Sequence, residues 1–191
     1  ILRISGLPKL LRLDLDNNDL GDAGVQTLCE GLGHGTAPSL RTLDLGGNHF
    51  GPAGAEALAA ALRRGAMPSI EKLGLSSNPI GSQGMAALAA PLRKLTALGS
   101  LYLGNCDIGD EGVASLVNDL GKDDFKALLV LFLPCNKITD VGCATLARVR
   151  DAPNSNALPK LDALYLIQNP ASAAARQAAK DALGATAAGH R

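Results

Sequence analysis

Few side chains in this sequence could perform chemistry, and they are scattered along it. The three histidines and four cysteines form neither a C-x-x-C pair nor a cysteine–histidine spacing typical of zinc sites. His49 lacks a serine or cysteine at a matching position, and Cys135 lacks a neighbouring base. Asp14 and Asp44 could act as paired carboxylates, since adjacent acids raise one pKa, but nothing supplies a roof that excludes water. We therefore expect no catalytic residue, no metal and no cofactor.

The elements that must position these residues recur at a fixed spacing. The template L-x-L-x-x-N returns six times, once with cysteine in place of asparagine, at intervals of 30, 30, 28, 30 and 33 residues. A fixed period of this length predicts a solenoid. The six copies are Leu13–Asn18, Leu43–Asn48, Leu73–Asn78, Leu101–Cys106, Leu131–Asn136 and Leu164–Asn169.

With the flanking aliphatic residues the template becomes L-x-x-L-x-L-x-x-N/C-x-L, which resembles the leucine-rich repeat. The long period and the helix-like second half of each unit resemble the ribonuclease-inhibitor type. The resemblance covers nearly all of residues 1–183 and implies an α/β solenoid of about six repeats. In this horseshoe a parallel β-sheet is concave and the helices are convex. Residues 184–191 are expected to be a loose tail. The chain enters in mid-repeat, and we expect it to be part of a longer array.

The last residue of each template is expected to be structural. An asparagine side chain has both donors and acceptors, so it can satisfy backbone groups where the chain turns inside the solenoid. Stacked repeats would place these side chains in a buried ladder, in which cysteine is the weaker donor. The ladder comprises Asn18, Asn48, Asn78, Cys106, Asn136 and Asn169.

A helix is predicted after each template. Pro52 fits a first helical position, and Asp22, Asp110 and Asp140 then lie in first turns, where the helix dipole favours negative charge. A glycine recurs near each helix start and is expected to permit close approach to a neighbour. Pro91 is expected to end or kink the third helix early.

Outward side chains of neighbouring strands should form rows on the concave face, because strands lie about 4.8 Å apart. One row begins with acids and ends with three aromatics. Exposed apolar surface and aromatic anchors mark interaction sites, so we expect a partner to bind there. The predicted apolar patch comprises Tyr102, Phe132, Tyr165, Val130, Pro134 and Ile167. A second, polar zone comprises Arg12, Asp14, Asp16 and Asp44.

The sequence thus predicts a non-catalytic module that binds another protein, or a flanking domain of its own chain, on the concave face. Packing of the patch within the molecule is the simplest alternative. The resemblance also extends to arrays that activate a small GTPase, and the neutral charge and alanine-rich helices would suit a structural subunit of a large assembly. Both alternatives stay open.

The bulk composition limits the partners and the location. Eighteen basic and 18 acidic side chains give a formal net charge of zero, which argues against nucleic acid or an anionic membrane as a partner. The sequence contains no run of 18 apolar residues, so it predicts no transmembrane helix. The cysteine pattern favours a reducing, cytoplasmic location.

Overall fold

Strands and helices alternate along the chain in a computed structural model that describes residues 6–33, 35–118, 120–121, 124–150 and 157–185. Within these residues there are six strands, six α-helices and one short 3-10 helix. The strands are β1 Arg12–Asp14, β2 Thr42–Asp44, β3 Lys72–Gly74, β4 Ser100–Tyr102, β5 Val130–Phe132 and β6 Ala163–Tyr165. The α-helices are α1 Gly21–Gly31, α2 Pro52–Arg63, α3 Gly81–Arg93, α4 Asp110–Val117, α5 Asp140–Ala147 and α6 Ala173–Ala182. The 3-10 helix, Arg148–Arg150, follows α5 directly.

The six described strands form one parallel sheet in chain order, from β1 to β6. Equivalent residues of successive repeats are paired, so that Leu13 lies beside Leu43 and Leu131 beside Leu164. An α-helix lies between each pair of consecutive strands, in keeping with the crossover connection that parallel strands require. The predicted α/β horseshoe, with its concave parallel sheet and convex helices, is confirmed.

The core lies between the sheet and the helices and is largely aliphatic. Leu43 of the sheet and Leu58 and Leu88 of the helices are fully buried in one continuous cluster. Phe50 and Phe125 are also in this core. The three remaining aromatic side chains are therefore those of the concave face, where strand residues alternate away from the core.

The helices begin largely as the sequence predicts. Helix α2 starts at Pro52 after Gly51 as its N-cap, and Asp22 and Asp110 lie in the first turns of their helices. The expectation that Pro91 ends its helix early is wrong, because α3 continues to Arg93. Pro91 lies in the last turn, where only one backbone bond is lost, and its ring is buried against the core.

The acids of the first helical turns also bind the next repeat. The Asp110 carboxylate of α4 accepts the N–H of Thr139 (2.8 Å), its hydroxyl (2.6 Å) and the N–H of Gly142 (3.0 Å) at the start of α5. Asp22 and Asp140 contact the starts of α2 and α6 in the same way. Each acid thus caps the helix that follows its own.

The first-turn glycines make this close packing possible. A Cβ atom on Gly84 would lie 2.6 Å from Ile80 and 2.9 Å from Ala55 of the preceding helix. A side chain would force neighbouring helices apart, so the expected role of these glycines is observed.

The first and last described repeats are buried to different degrees. In the first repeat Leu13, Leu15 and Leu28 are only half-buried, although they pack against the core. In the last repeat Leu166 and Leu183 are fully buried, because α6 packs against α5 and covers the end of the core.

The segment expected to be a loose tail begins in an ordered way. The N–H groups of Gly184 and Ala185 donate to carbonyls of α6, and Ala185 is buried. Residues 186–191 of this segment, like residues 1–5 at the start of the chain, lie outside the described residues.

Candidate functional site

Three aromatic side chains form a contiguous row on the concave face. Tyr102, Phe132 and Tyr165 occupy paired positions on β4, β5 and β6. The ring centroids of Tyr102 and Phe132 are 5.6 Å apart, and those of Phe132 and Tyr165 are 5.2 Å apart, in tilted arrangements. These distances are typical of favourable aromatic contacts. All three residues keep intermediate exposure, so the described chain leaves part of each accessible. We call them the aromatic row.

The flanks of the aromatic row are partly open. Val130 is half-buried, whereas Ile167 is 55% exposed. The expectation that Pro134 is exposed is wrong: Pro134 and Phe132 lean over Gly104, where a Cβ atom would lie about 3 Å from both side chains. Leu129, the residue before β5, is 47% exposed and is not among the residues predicted from the sequence.

A lysine connects the aromatic row to the polar half of the face. The Lys72 ammonium lies 4.9 Å from the ring centroid of Tyr102, a distance suited to a cation–π interaction. The sequence places Lys72 on the concave face, but its contact with an aromatic ring on the next strand is diagonal. Only the structure shows that the Lys72 charge is directed toward Tyr102.

The polar zone contains one close ion pair and two further carboxylates. Arg12 donates to Asp14 at 2.5 Å, and this hydrogen bond lowers the pKa of Asp14. Asp14 raises the pKa of Asp16, because its carboxylate can accept a hydrogen bond from protonated Asp16 and because its negative charge disfavours a second charge nearby. The acid whose pKa the neighbouring carboxylates raise is thus Asp16, with Asp44 as a smaller contributor, whereas the sequence analysis paired Asp14 with Asp44.

Asp44 lies beside this pair and extends over the middle of the sheet. Its carboxylate accepts the N–H of Gly46 at 3.1 Å. A Cβ atom on Gly74 would overlap the Asp44 carboxylate, which therefore fills the gap in the row left by this glycine. The Asp44 carboxylate thus lies over the end of β3, the strand that carries Lys72.

Ladder asparagines hold the strand ends in place beneath the face. The Asn136 side chain accepts the N–H groups of Cys106 and Ile108, both at 3.0 Å, and donates to the carbonyls of Leu103 and Leu133. Asn48, Asn78 and Asn169 are likewise buried and bonded within and between repeats. Each amide joins two repeats through backbone groups that would otherwise be unpaired.

The two exceptional ladder positions differ from this pattern. Asn18 is exposed, contrary to the expectation of a buried amide, because β1 is the first strand of the described sheet; its side chain donates only locally, to Asp16. Cys106 is buried, and its Sγ lies 3.3 Å from the carbonyl oxygen of Leu75.

The thiols divide into buried and exposed groups. Burial raises the pKa of Cys29 and Cys106 to about 12 and also raises that of Cys143. Because the thiolate is the reactive form, these three are poor nucleophiles. Cys135 is exposed at the edge of the face, with its Sγ 2.9 Å from Oε1 of Gln168.

The sequence matches the family model described as "Leucine Rich repeat" over residues 6–29, 36–59, 66–89 and 94–117. These segments make up just over half of the chain. The chain belongs to the leucine-rich repeat family, and its long α/β units are of the ribonuclease-inhibitor-like kind. A search of curated proteins returns no match.

Two solved structures are similar to this fold. One is leiomodin-1 actin-binding site 2, which is 22% identical with a TM-score of 0.58, over 69% of this chain and 74% of that chain. The other is the tropomodulin C-terminal domain of Caenorhabditis elegans, which is 13% identical with a TM-score of 0.57, over 95% of this chain and 87% of that chain. At these identities the likeness concerns the fold.

Two further features concern the described residues alone. Among them, no helix is both long enough and apolar enough to cross a membrane. The same part of the chain contains no group of three or more histidine, cysteine or acidic side chains arranged to hold a metal ion.

Proposed function

We propose that this protein is a non-catalytic interaction module that binds a partner protein on its concave face. The observation that carries the proposal is the aromatic row, in which the central ring contacts both neighbours and all three remain partly accessible. Large rings that a rigid sheet holds in place lose little conformational freedom on binding, and aromatic residues are frequent binding anchors.

The fold supports a binding role of this kind. Parallel strands give the concave face a fixed spacing, so a partner meets an ordered surface. The similar leiomodin-1 structure is titled as an actin-binding site, which associates this fold with protein binding. An identity of 22% is too low to assign the partner of that protein to this one, and actin is therefore not part of the proposal.

The positions of the reactive groups support a role without catalysis. The three thiols with raised pKa values are in the core. His49 and Asp19 are 3.9 Å apart and both strongly exposed, so water screens their interaction. Four cysteines in the free state suit a reducing compartment, and we propose a cytoplasmic location on that basis.

The test compares two baits that each lose an exposed apolar side chain. Phe132→Ala removes the centre of the aromatic row, whereas Val141→Ala removes a side chain that is 66% exposed on convex helix α5. Wild-type and variant proteins would capture partners from an extract of the native source, and the affinity for the captured partner would then be measured. We expect Phe132→Ala to weaken binding by about 1 kcal/mol or more, roughly fivefold or more.

Thermal melts of both variants separate a loss of binding from a loss of folding. A captured partner that binds Phe132→Ala as tightly as wild type, while Val141→Ala weakens it, would move the site to the convex helices. Complete unfolding of Phe132→Ala would show instead that the ring is a core residue.

A further inference from the structure

The concave face is divided into an acidic half and an apolar half. Arg12 is paired with Asp14, and Lys72 is placed over the ring of Tyr102. Within the described residues no ion pair involves Asp16 or Asp44. The half of the face around β1 and β2 therefore carries carboxylates that no cation among the described residues pairs with, and this excess favours a positively charged ligand.

The raised pKa of Asp16 adds to this preference. Asp14 favours the protonated form of Asp16, as a possible hydrogen-bond acceptor and through its negative charge. An incoming cation would relieve this repulsion. The Asp44 carboxylate, which extends over Gly74, brings the acidic half close to the aromatic row.

The apolar half limits the backbone conformation of what binds there. A segment that crosses the aromatic row meets rings and aliphatic side chains, and the backbone groups of β4 and β5 are already paired with neighbouring strands. An extended segment would leave its own N–H and C=O groups unsatisfied against this surface. A helix satisfies them internally and presents only side chains.

We propose, as an extension of the proposed function on which it rests, that the partner element is an amphipathic helix with a basic residue near one end and large apolar residues near the other. The helix lies across the strands. Its basic residue faces Asp16 and Asp44, and its apolar residues cover the aromatic row around Phe132. This is the helix-in-groove mode of recognition, with charge fixing the direction of the helix.

The sheet spacing sets the distance between the two features of the helix. Asp44 on β2 and Phe132 on β5 are three strands apart, which corresponds to about 14 Å at the usual strand spacing. A helix rises 1.5 Å per residue and turns once every 3.6 residues, so the basic and apolar positions that face the sheet should be about eleven residues, or three turns, apart.

The experiment uses a display library of helix-forming 18-residue peptides, selected on the 191-residue chain and counter-selected on Phe132→Ala. Dissociation constants would then be measured for wild type, Asp16→Asn, Asp44→Asn and the double variant. Glu56→Gln is the matched control, because it removes the charge of an exposed side chain on α2, on the convex side. Asn at position 44 keeps an oxygen acceptor for the N–H of Gly46, so the local fold is preserved.

We expect the selected peptides to carry Lys or Arg about eleven residues from a large apolar residue. Each Asp→Asn change should weaken binding by about twofold to fivefold, and the double variant by more. Raising the salt from about 0.05 M to about 0.5 M should weaken wild-type binding and reduce the difference from the double variant. Glu56→Gln should bind as wild type does. Replacing the peptide's basic residue with Gln should reproduce the loss without any change to the protein.

The other outcomes distinguish this inference from the proposed function. The basic helix would be overturned if the selected peptides fail to bind Phe132→Ala but bind the double variant as tightly as wild type, and if the peptide with Gln in place of its basic residue also binds normally. Concave-face binding would remain intact in that case. Selected peptides that prove extended, or apolar throughout, would also overturn it. A library without any binder sensitive to Phe132→Ala would count against both proposals.

Discussion

A single amide can join two repeats because it lies where two chain turns meet. The Oδ1 atom of Asn136 accepts backbone N–H groups from the preceding repeat, and its Nδ2 group donates to carbonyls of both repeats. A buried hydrogen bond contributes about 1 kcal/mol, but leaving its partner unpaired costs about 1–3 kcal/mol. The shape and polarity of asparagine therefore matter more here than its size.

Asn136→Ala should lower the free energy of unfolding by about 3 kcal/mol, because several backbone groups lose their partner in the core. Asn18→Ala is the matched control: Asn18 has the same place in its repeat but is exposed, and its replacement should cost less than about 0.5 kcal/mol. Urea unfolding of the two variants measures the difference. Similar costs for both would show that the inter-repeat bonds contribute little.

Helices in this fold are capped partly by side chains from the preceding repeat. At the start of α5, Thr139 accepts the N–H of Val141 from within its own helix, while Asp110 of α4 accepts further groups at the same end. The charge of Asp110 is therefore close to two helix N-termini, and both dipoles favour it. Neighbouring helices become coupled through this carboxylate.

Asp110→Ala should destabilise the protein by about 1–2 kcal/mol, because the start of α5 loses its charged acceptor. Glu111→Ala is an informative control: it also removes a negative charge from the first turn of α4, but Glu111 is exposed. Amide exchange should speed up at the start of α5 in the first variant only. Equal effects of the two changes would mean that only the dipole of α4 is involved.

The sequence predicts those contacts that recur in every repeat, and it does not predict contacts that occur in only one repeat. Leu43 and Asn48 return at fixed intervals, so their places in core and ladder could be predicted. The contact of Lys72 with Tyr102 is diagonal, and the burial of Pro134 depends on its leaning over Gly104. Such contacts depend on side-chain directions between unlike repeats, which periodicity does not encode.

At the scale of the whole molecule, stability should not be uniform along the solenoid. Each repeat packs against its neighbours, so stability is approximately a sum over repeats and their interfaces. The first repeat has half-buried leucines, whereas the last is covered by α6. The acidic half of the concave face therefore lies on the less buried end and the aromatic row on the well-packed part.

The unequal ends predict that the first repeat opens before the others. Leu28 of α1 and Leu88 of α3 occupy equivalent places, but Leu28 is half-buried and Leu88 fully buried. Leu88→Ala should cost about 3 kcal/mol because it leaves a cavity, and Leu28→Ala about 1 kcal/mol. Native-state amide exchange should also show a smaller opening free energy for α1 than for α3. Equal costs and equal exchange would mean that the described repeats unfold as one cooperative unit, in which the acidic half is as rigid as the aromatic row.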